Sequence, residues 1–152
     1  MSGGLPEGLR GFDLTGRVAI VTGASSGLGA GLARALASVG ARVAVVARRG
    51  DRLAALAHEL DGQPVECDLL DADEVAGVVP AVLDGLGAPE ILVNAAGNIF
   101  SREPAEREAV DDIHRTLDLN LVAPFLLSQA VVPHMVDAGR GAIVHVSSIG
   151  GR

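Results

Sequence analysis

The chain has 152 residues, with 12 basic against 19 acidic side chains and a net charge of −7; every basic residue is Arg, and Lys, Tyr and Trp are absent. Those absences exclude a P-loop lysine, a Schiff-base lysine and a phenolic acid or base from within these residues. A pI near 4.9 argues against a nucleic-acid or anionic-membrane partner, while 49% hydrophobic and 20% charged residues is the composition of a globular domain able to build a core.

Residues 1–11, with their Gly and Pro, read as a flexible N-terminal arm. From Arg17 the pattern is regular. Val18 to Val21 is a short apolar run of the kind buried on both faces of a sheet. A Gly-rich segment leads into a helix marked by Leu28, Leu32, Leu36 and Val39, closed by Gly40. Val43 to Ala47 is a second strand, and Leu53, Leu56 and Leu60 mark a helix that stops near Asp61-Gly62. Val65 to Asp68 is a third strand; Val75, Val79, Val82 and Leu86 mark a helix that Pro80 can kink and Gly87 ends. Ile91 to Asn94 is a fourth strand. A long helix follows from about Glu106 to Val136, carrying Ile113, Leu117, Leu121 and Leu127, then a fifth strand from Ala142 to Val146. This alternation predicts an α/β fold: a Rossmann-like, doubly wound parallel sheet of about five strands.

Between the first strand and first helix stands Thr22-Gly23-Ala24-Ser25-Ser26-Gly27-Leu28-Gly29. Glycines here let the backbone turn sharply and approach a pyrophosphate, and the helix N-terminus offers free N–H groups and a positive dipole. A glycine triplet alone is also an ordinary turn; strand before and helix after are what make it a dinucleotide site. Thr22, Gly23, Ser25, Ser26, Gly27, Leu28 and Gly29 are therefore candidate cofactor-binding residues.

The Thr-Gly-x-x-x-Gly-x-Gly spacing resembles the short-chain dehydrogenase/reductase family. Cys67-Asp68-Leu69, Asn94-Ala95-Ala96-Gly97, Leu119-Asn120-Leu121 and Val146-Ser147-Ser148-Ile149-Gly150 match further family segments in the right order, from about Phe12 to Arg152. Ala95 departs from the family's second Asn. The resemblance implies that Asp68 and Leu69 border the adenine and that Asn94, Ala95, Ala96 and Gly97 line the cofactor. It makes Asn120 the catalytic Asn and Ser148, not Ser147, the catalytic Ser. It also implies sheet order 3-2-1-4-5, with residues 12–152 a partial dinucleotide-binding domain that stops before the family's Tyr-x-x-x-Lys helix. The implied activity is hydride transfer between a nicotinamide cofactor and a small-molecule carbonyl or alcohol, by a complete protein that is a homodimer or homotetramer. The 152 residues alone are expected to be inactive. The alternative is a catalytically inert nucleotide-binding module.

The second strand ends Val46-Ala47-Arg48-Arg49 with no carboxylate, which points to NADP(H) over NAD(H), Arg48 being the better candidate for the 2′-phosphate. Solvated loop charge is the competing role for both arginines. Asn98 to Ala105 looks somewhat like the sugar-acid and polyol branch of the family, with oxoacyl-thioester reductases nearly as close. His58 and His114 read as helix-surface residues, His145 as packing or facing a covering helix, and Asp111-Asp112 as a solvated patch; no metal site is expected. The single Cys67 is expected to pack at a strand end. With no signal pattern, and with no uncharged apolar run expected to approach the ~18–20 residues of a membrane span, the chain is assigned to the cytoplasm, without a membrane. The last strand is expected to be an exposed edge, and Leu121, Val122, Phe125 and Leu126 to contribute to an apolar patch.

Overall fold

The structure, a computed structural model, describes residues 11–148. The proposed arm and Ile149 to Arg152 fall outside them, apart from Gly11. The sheet holds β1 (Val18–Thr22), β2 (Arg42–Ala47), β3 (Gln63–Glu66), β4 (Pro89–Asn94) and β5 (Ala142–His145). All pairs are parallel, in the order β3-β2-β1-β4-β5 that the resemblance implied.

Alternation along the strands sorts their side chains onto two faces. Ala19, Val21, Val43, Val45, Ala47 and Val93 face α1 (Gly27–Ser38) and α2 (Gly50–Leu60). Val18, Ile20, Ala44, Val46, Val65 and Leu92 face α3 (Ala72–Gly85) and α5 (Ala123–Asp137). A sheet covered on both faces needs apolar residues at every position, and β1 is buried throughout.

Several elements differ from the expected ones. In α1 the fully buried residues are Gly29, Ala30 and Ala33, while Leu28 is exposed. The helix lies close to the sheet, so small residues take the seam and Leu32 and Leu36 flank it. β3 ends at Glu66, leaving Cys67 and Asp68 in the loop that follows. The long helix starts at Val110, not Glu106, and is not continuous: α4 (Val110–Leu117) passes through a π-turn at Asp118–Val122 before α5. Its apolar residues are split between core and surface. Leu127 is fully buried with Ala123, Val131 and Met135, whereas Ile113, Leu117 and Leu121 are exposed. The 28-residue stretch Val110–Asp137 is also long and apolar enough, by length and composition, to cross a membrane, which corrects the expectation that no such stretch exists. In this fold its Leu127–Met135 seam lies in the core against the sheet.

At the N-terminal ends of the strands, Glu90 of β4 accepts hydrogen bonds from Arg140, in the α5–β5 turn, and from Arg17, just before β1. The two guanidinium groups, Arg140 foremost, hold its carboxyl down at about 2, against the opposing effect of desolvation. β5 is a sheet edge and mostly exposed, as expected. Leu121, Val122 and Phe125 are exposed too, while Leu126 packs partly against the core.

Candidate cofactor site

Strand order reverses direction between β1 and β4, and in open α/β sheets the crevice outside the strand C-termini at such a point is where ligands bind. A cavity of about 360 Å³ lies there. It is lined from β1–α1 by Gly23, Ser25, Ser26, Leu28 and Gly29, and from the end of β2 by Ala47, Arg48 and Arg49. The β3–α3 loop contributes Cys67, Asp68, Leu69 and Leu70. Ala95, Ala96, Gly97, Asn98 and Phe100 come from after β4, and Leu119 from the π-turn.

Two glycines are required by close approach. A Cβ on Gly29 would stand 2.5 Å from the Gly23 carbonyl oxygen, and one on Gly23, whose φ is +67°, would meet the Ala96 backbone at 2.8 Å. The β1–α1 loop is therefore pressed onto the β4 loop with no room for a side chain. Thr22 does not line the cavity but fastens the same two loops: it is buried, and its Oγ1 accepts from the N–H groups of Ala95 (3.1 Å) and Ala96 (3.2 Å). Gly27 takes φ +56° with open space around its Cβ position, so it serves the turn rather than a contact.

The α1 N-terminus is prepared for an anion. Its N-cap Ser26 makes no side-chain cap bond, and the first turn has no acidic residue. The Ser26 hydroxyl instead accepts from Arg49 Nη2 at 2.9 Å, while Ser25 Oγ accepts from the same nitrogen at 2.8 Å and from Nε at 3.2 Å. Arg48 and Arg49 both border the cavity, but Arg49 is the one held against the glycine loop. Free helix N–H groups, two hydroxyls and a guanidinium fit the phosphates of a dinucleotide, and the crowded glycines fit its close backbone approach. Asn98, Leu70 and Phe100 were not anticipated as cavity residues. Phe100 carries the Arg115 guanidinium over its ring at 4.1 Å.

In the β3–α3 loop, Asp68 Oδ1 accepts from the Leu70 N–H at 3.1 Å. Cys67 is buried at the strand end as expected, and its thiol is pushed up to about 11, first by burial and then by the charges of Glu74, Asp68 and Asp71. It packs in the core cluster beneath the cavity.

Asn94 and the two catalytic candidates do not line the cavity. Asn94 is buried; its amide Nδ2 lies 3.2 Å from His145 Nδ1, and its Oδ1 has no partner among the described residues. His145 is thus exposed and turned to Asn94, rather than packed under a helix. His58 and His114 are exposed, as expected, and no cluster of metal-binding residues occurs among the described residues. Asn120, in the π-turn, is clamped onto the β4 loop. Its Oδ1 accepts from the Asn98 N–H at 3.2 Å, and its Nδ2 donates to the carbonyls of Asn98 and Thr116, both at 2.7 Å. Gly97 makes room for this clamp, since its Cβ would lie 3.0 Å from Asn120 Oδ1. Ser148 is exposed just beyond β5, whose continuation bonds β4 through Val146 N–H to the Asn94 carbonyl at 2.9 Å. It stands at the same end of the sheet as the cavity.

The sequence profile of a family described as short chain dehydrogenase matches residues 17–152. D-threitol dehydrogenase of Mycolicibacterium smegmatis is 43% identical over 142 residues, which cover 90% of this chain and 54% of that enzyme. A metagenomic short-chain oxidoreductase solved with NADP superposes with a TM-score of 0.85 at 39% identity, over 92% of this chain and 66% of that one. L-sorbose reductase of Gluconobacter frateurii, solved with NADPH and L-sorbose, superposes with a TM-score of 0.85 at 35% identity, over 89% and 53%. The chain spans about half the length of the curated relatives it matches.

Proposed function

The chain belongs to the short chain dehydrogenase family, and from that premise we propose that its protein is an NADP(H)-preferring oxidoreductase acting on a polyhydroxylated carbonyl or alcohol. Residues 12–152 are its cofactor-binding part. The observation that carries the reading is the Arg49–Ser25–Ser26 cluster at the unencumbered N-terminus of α1, with no carboxylate at the end of β2. An acid there would accept the ribose 2′-OH of NAD; arginines suit the 2′-phosphate of NADP.

When bound, the nicotinamide supplies or takes the hydride. In this reading Arg49, with Arg48 beside it, holds the 2′-phosphate, and Asp68 receives the adenine. Ser148 holds the substrate oxygen. Asn120, whose side chain is committed to Asn98 and Thr116, keeps the β4 loop in place. No Tyr or Lys occurs in the 152 residues to move the substrate proton. The isolated chain is therefore read as inactive, and the missing proton donor alone is worth roughly 10²–10⁴ in rate. The polyol preference draws on the threitol and sorbose enzymes among its relatives. Cytoplasmic location and homo-oligomerisation through the exposed α4–α5 residues belong to the same reading.

The test is titration of the complete protein with NADPH and NADH, followed by assays on threitol, sorbose and gluconate. NADPH is expected to bind at least tenfold more tightly. Arg49→Ala should raise its Kd by about 10–100-fold with little change for NADH, the value of a lost charge-assisted bond. Arg48→Ala, run in parallel, is expected to do less. Equal Kd values for the two cofactors in the unaltered protein would sink the NADP assignment.

A further inference from the structure

The loop that meets the adenine end is tied from outside the cavity. The backbone N–H of Asp68 donates to Glu74 Oε2 at 2.6 Å, across the loop to the first turn of α3. Glu74 is the third residue of that helix, the position from which a Glu ordinarily reaches back to the N-cap backbone N–H. Here that N–H, of Asp71, is already given to the Asp68 carbonyl at 2.9 Å. The helix does not need the Glu74 carboxylate for its own cap either, because Asp71 Oδ1 accepts from both Asp73 N–H (2.9 Å) and Glu74 N–H (3.2 Å). The carboxylate is therefore free to reach three residues further back, to Asp68.

We propose that Glu74 is a positioning residue for the cofactor's adenine end: it fixes the Asp68 backbone, and so the direction in which the Asp68 carboxylate faces the cavity. The inference rests on the cofactor reading above. With Asp68 N–H bound to Glu74, its carbonyl bound by Asp71 N–H and its Oδ1 bound by Leu70 N–H, Asp68 Oδ2 is the oxygen left for a ligand amine. Each of these bonds fixes a torsion that would otherwise be frozen when the ligand arrives, and such pre-organisation strengthens binding without touching the ligand. Glu74 needs its acceptor oxygen for this, and its charge only to strengthen the bond.

The test compares Glu74→Ala and Glu74→Gln in the complete protein, with Kd measured for NADPH, for 2′-phospho-ADP-ribose and for reduced nicotinamide mononucleotide. Glu74→Ala is expected to weaken the two adenine-bearing ligands roughly tenfold, the scale of one hydrogen bond to a charged acceptor. It should leave the mononucleotide unchanged, and Glu74→Gln should restore most of the loss. Unchanged affinity of Glu74→Ala for the adenine-bearing ligands, or equal weakening of all three, would overturn the proposal. Failure of the unaltered protein to bind any of the three overturns the cofactor reading itself, a result distinct from an ineffective Glu74→Ala.

Discussion

The cavity and the neighbouring region around Asn120 and Ser148 are built differently. Where the β1–α1 loop meets the β4 loop the packing is close: Gly23 is pressed on Ala96, Gly29 on Gly23, and Thr22 is bonded to the β4 loop. Around Asn120 and Ser148 the elements are open. α4 buries no residue, β5 is mostly exposed, and Leu121 and Phe125 are more than half accessible. Grip on a cofactor needs a rigid cradle, and here it is set by contacts between residues such as Thr22 and Ala95, 73 apart in sequence. The region around Asn120 and Ser148 rests on more exposed elements.

The contrast can be broken most forcefully at Leu127. It is fully buried and is the point at which the open region is rooted in the core. Leu127→Ala should cost about 2–5 kcal/mol in urea denaturation. A loss below 1 kcal/mol would mean that α5 is not anchored where the structure has it. Glu90 tests the seam between the regions, since it ties the chain before β1 to the turn before β5. Its folded carboxyl titrates near 2 against an ordinary 4.5, so it is depressed. Its contribution is fully present above the ordinary value and disappears as pH falls through the window from 4.5 towards 2. Glu90→Gln should cost less than about 1 kcal/mol at neutral pH, because both arginines are partly exposed. It should flatten the stability-against-pH curve in that window; an unaltered slope would remove Glu90 as its cause. The smallest effect is expected at Phe125, 63% exposed. Phe125→Ser should change stability by no more than about 0.5 kcal/mol. A larger, concentration-dependent loss would show that a second copy covers this face.

The same contrast explains what could be read from the sequence. The strands, the glycine loop and the parallel pairing were legible because each depends on local spacing: a buried strand, a turn, a helix start; the strand order came with the family resemblance. Arg49 was harder. Two adjacent arginines are alike in composition, and which one reaches Ser25 is decided by where α2 begins, with Arg49 as its N-cap. The exposure of Ile113 and Leu117 was not legible. Ile113, Leu117 and Leu121 keep helical spacing whether they face the sheet or solvent, and the spacing continues to Phe125. His145 was misplaced for a related reason: alternation gives a side chain's face, but not what stands opposite it.

The π-turn carries a consequence for how this stretch tolerates change. A π-turn is an α-helix holding one surplus residue. Removing a single residue between Asp118 and Val122 would let the helix heal, with better local hydrogen bonding than before. Each residue advances a helix by about 100°, however, so everything on one side of the cut would rotate by that amount relative to the other. Either Asn120 would leave Asn98, or Leu127 and Val131 would leave the core. The apparent defect is thus a phase correction, letting one rod meet two partners that a perfect helix could not face at once.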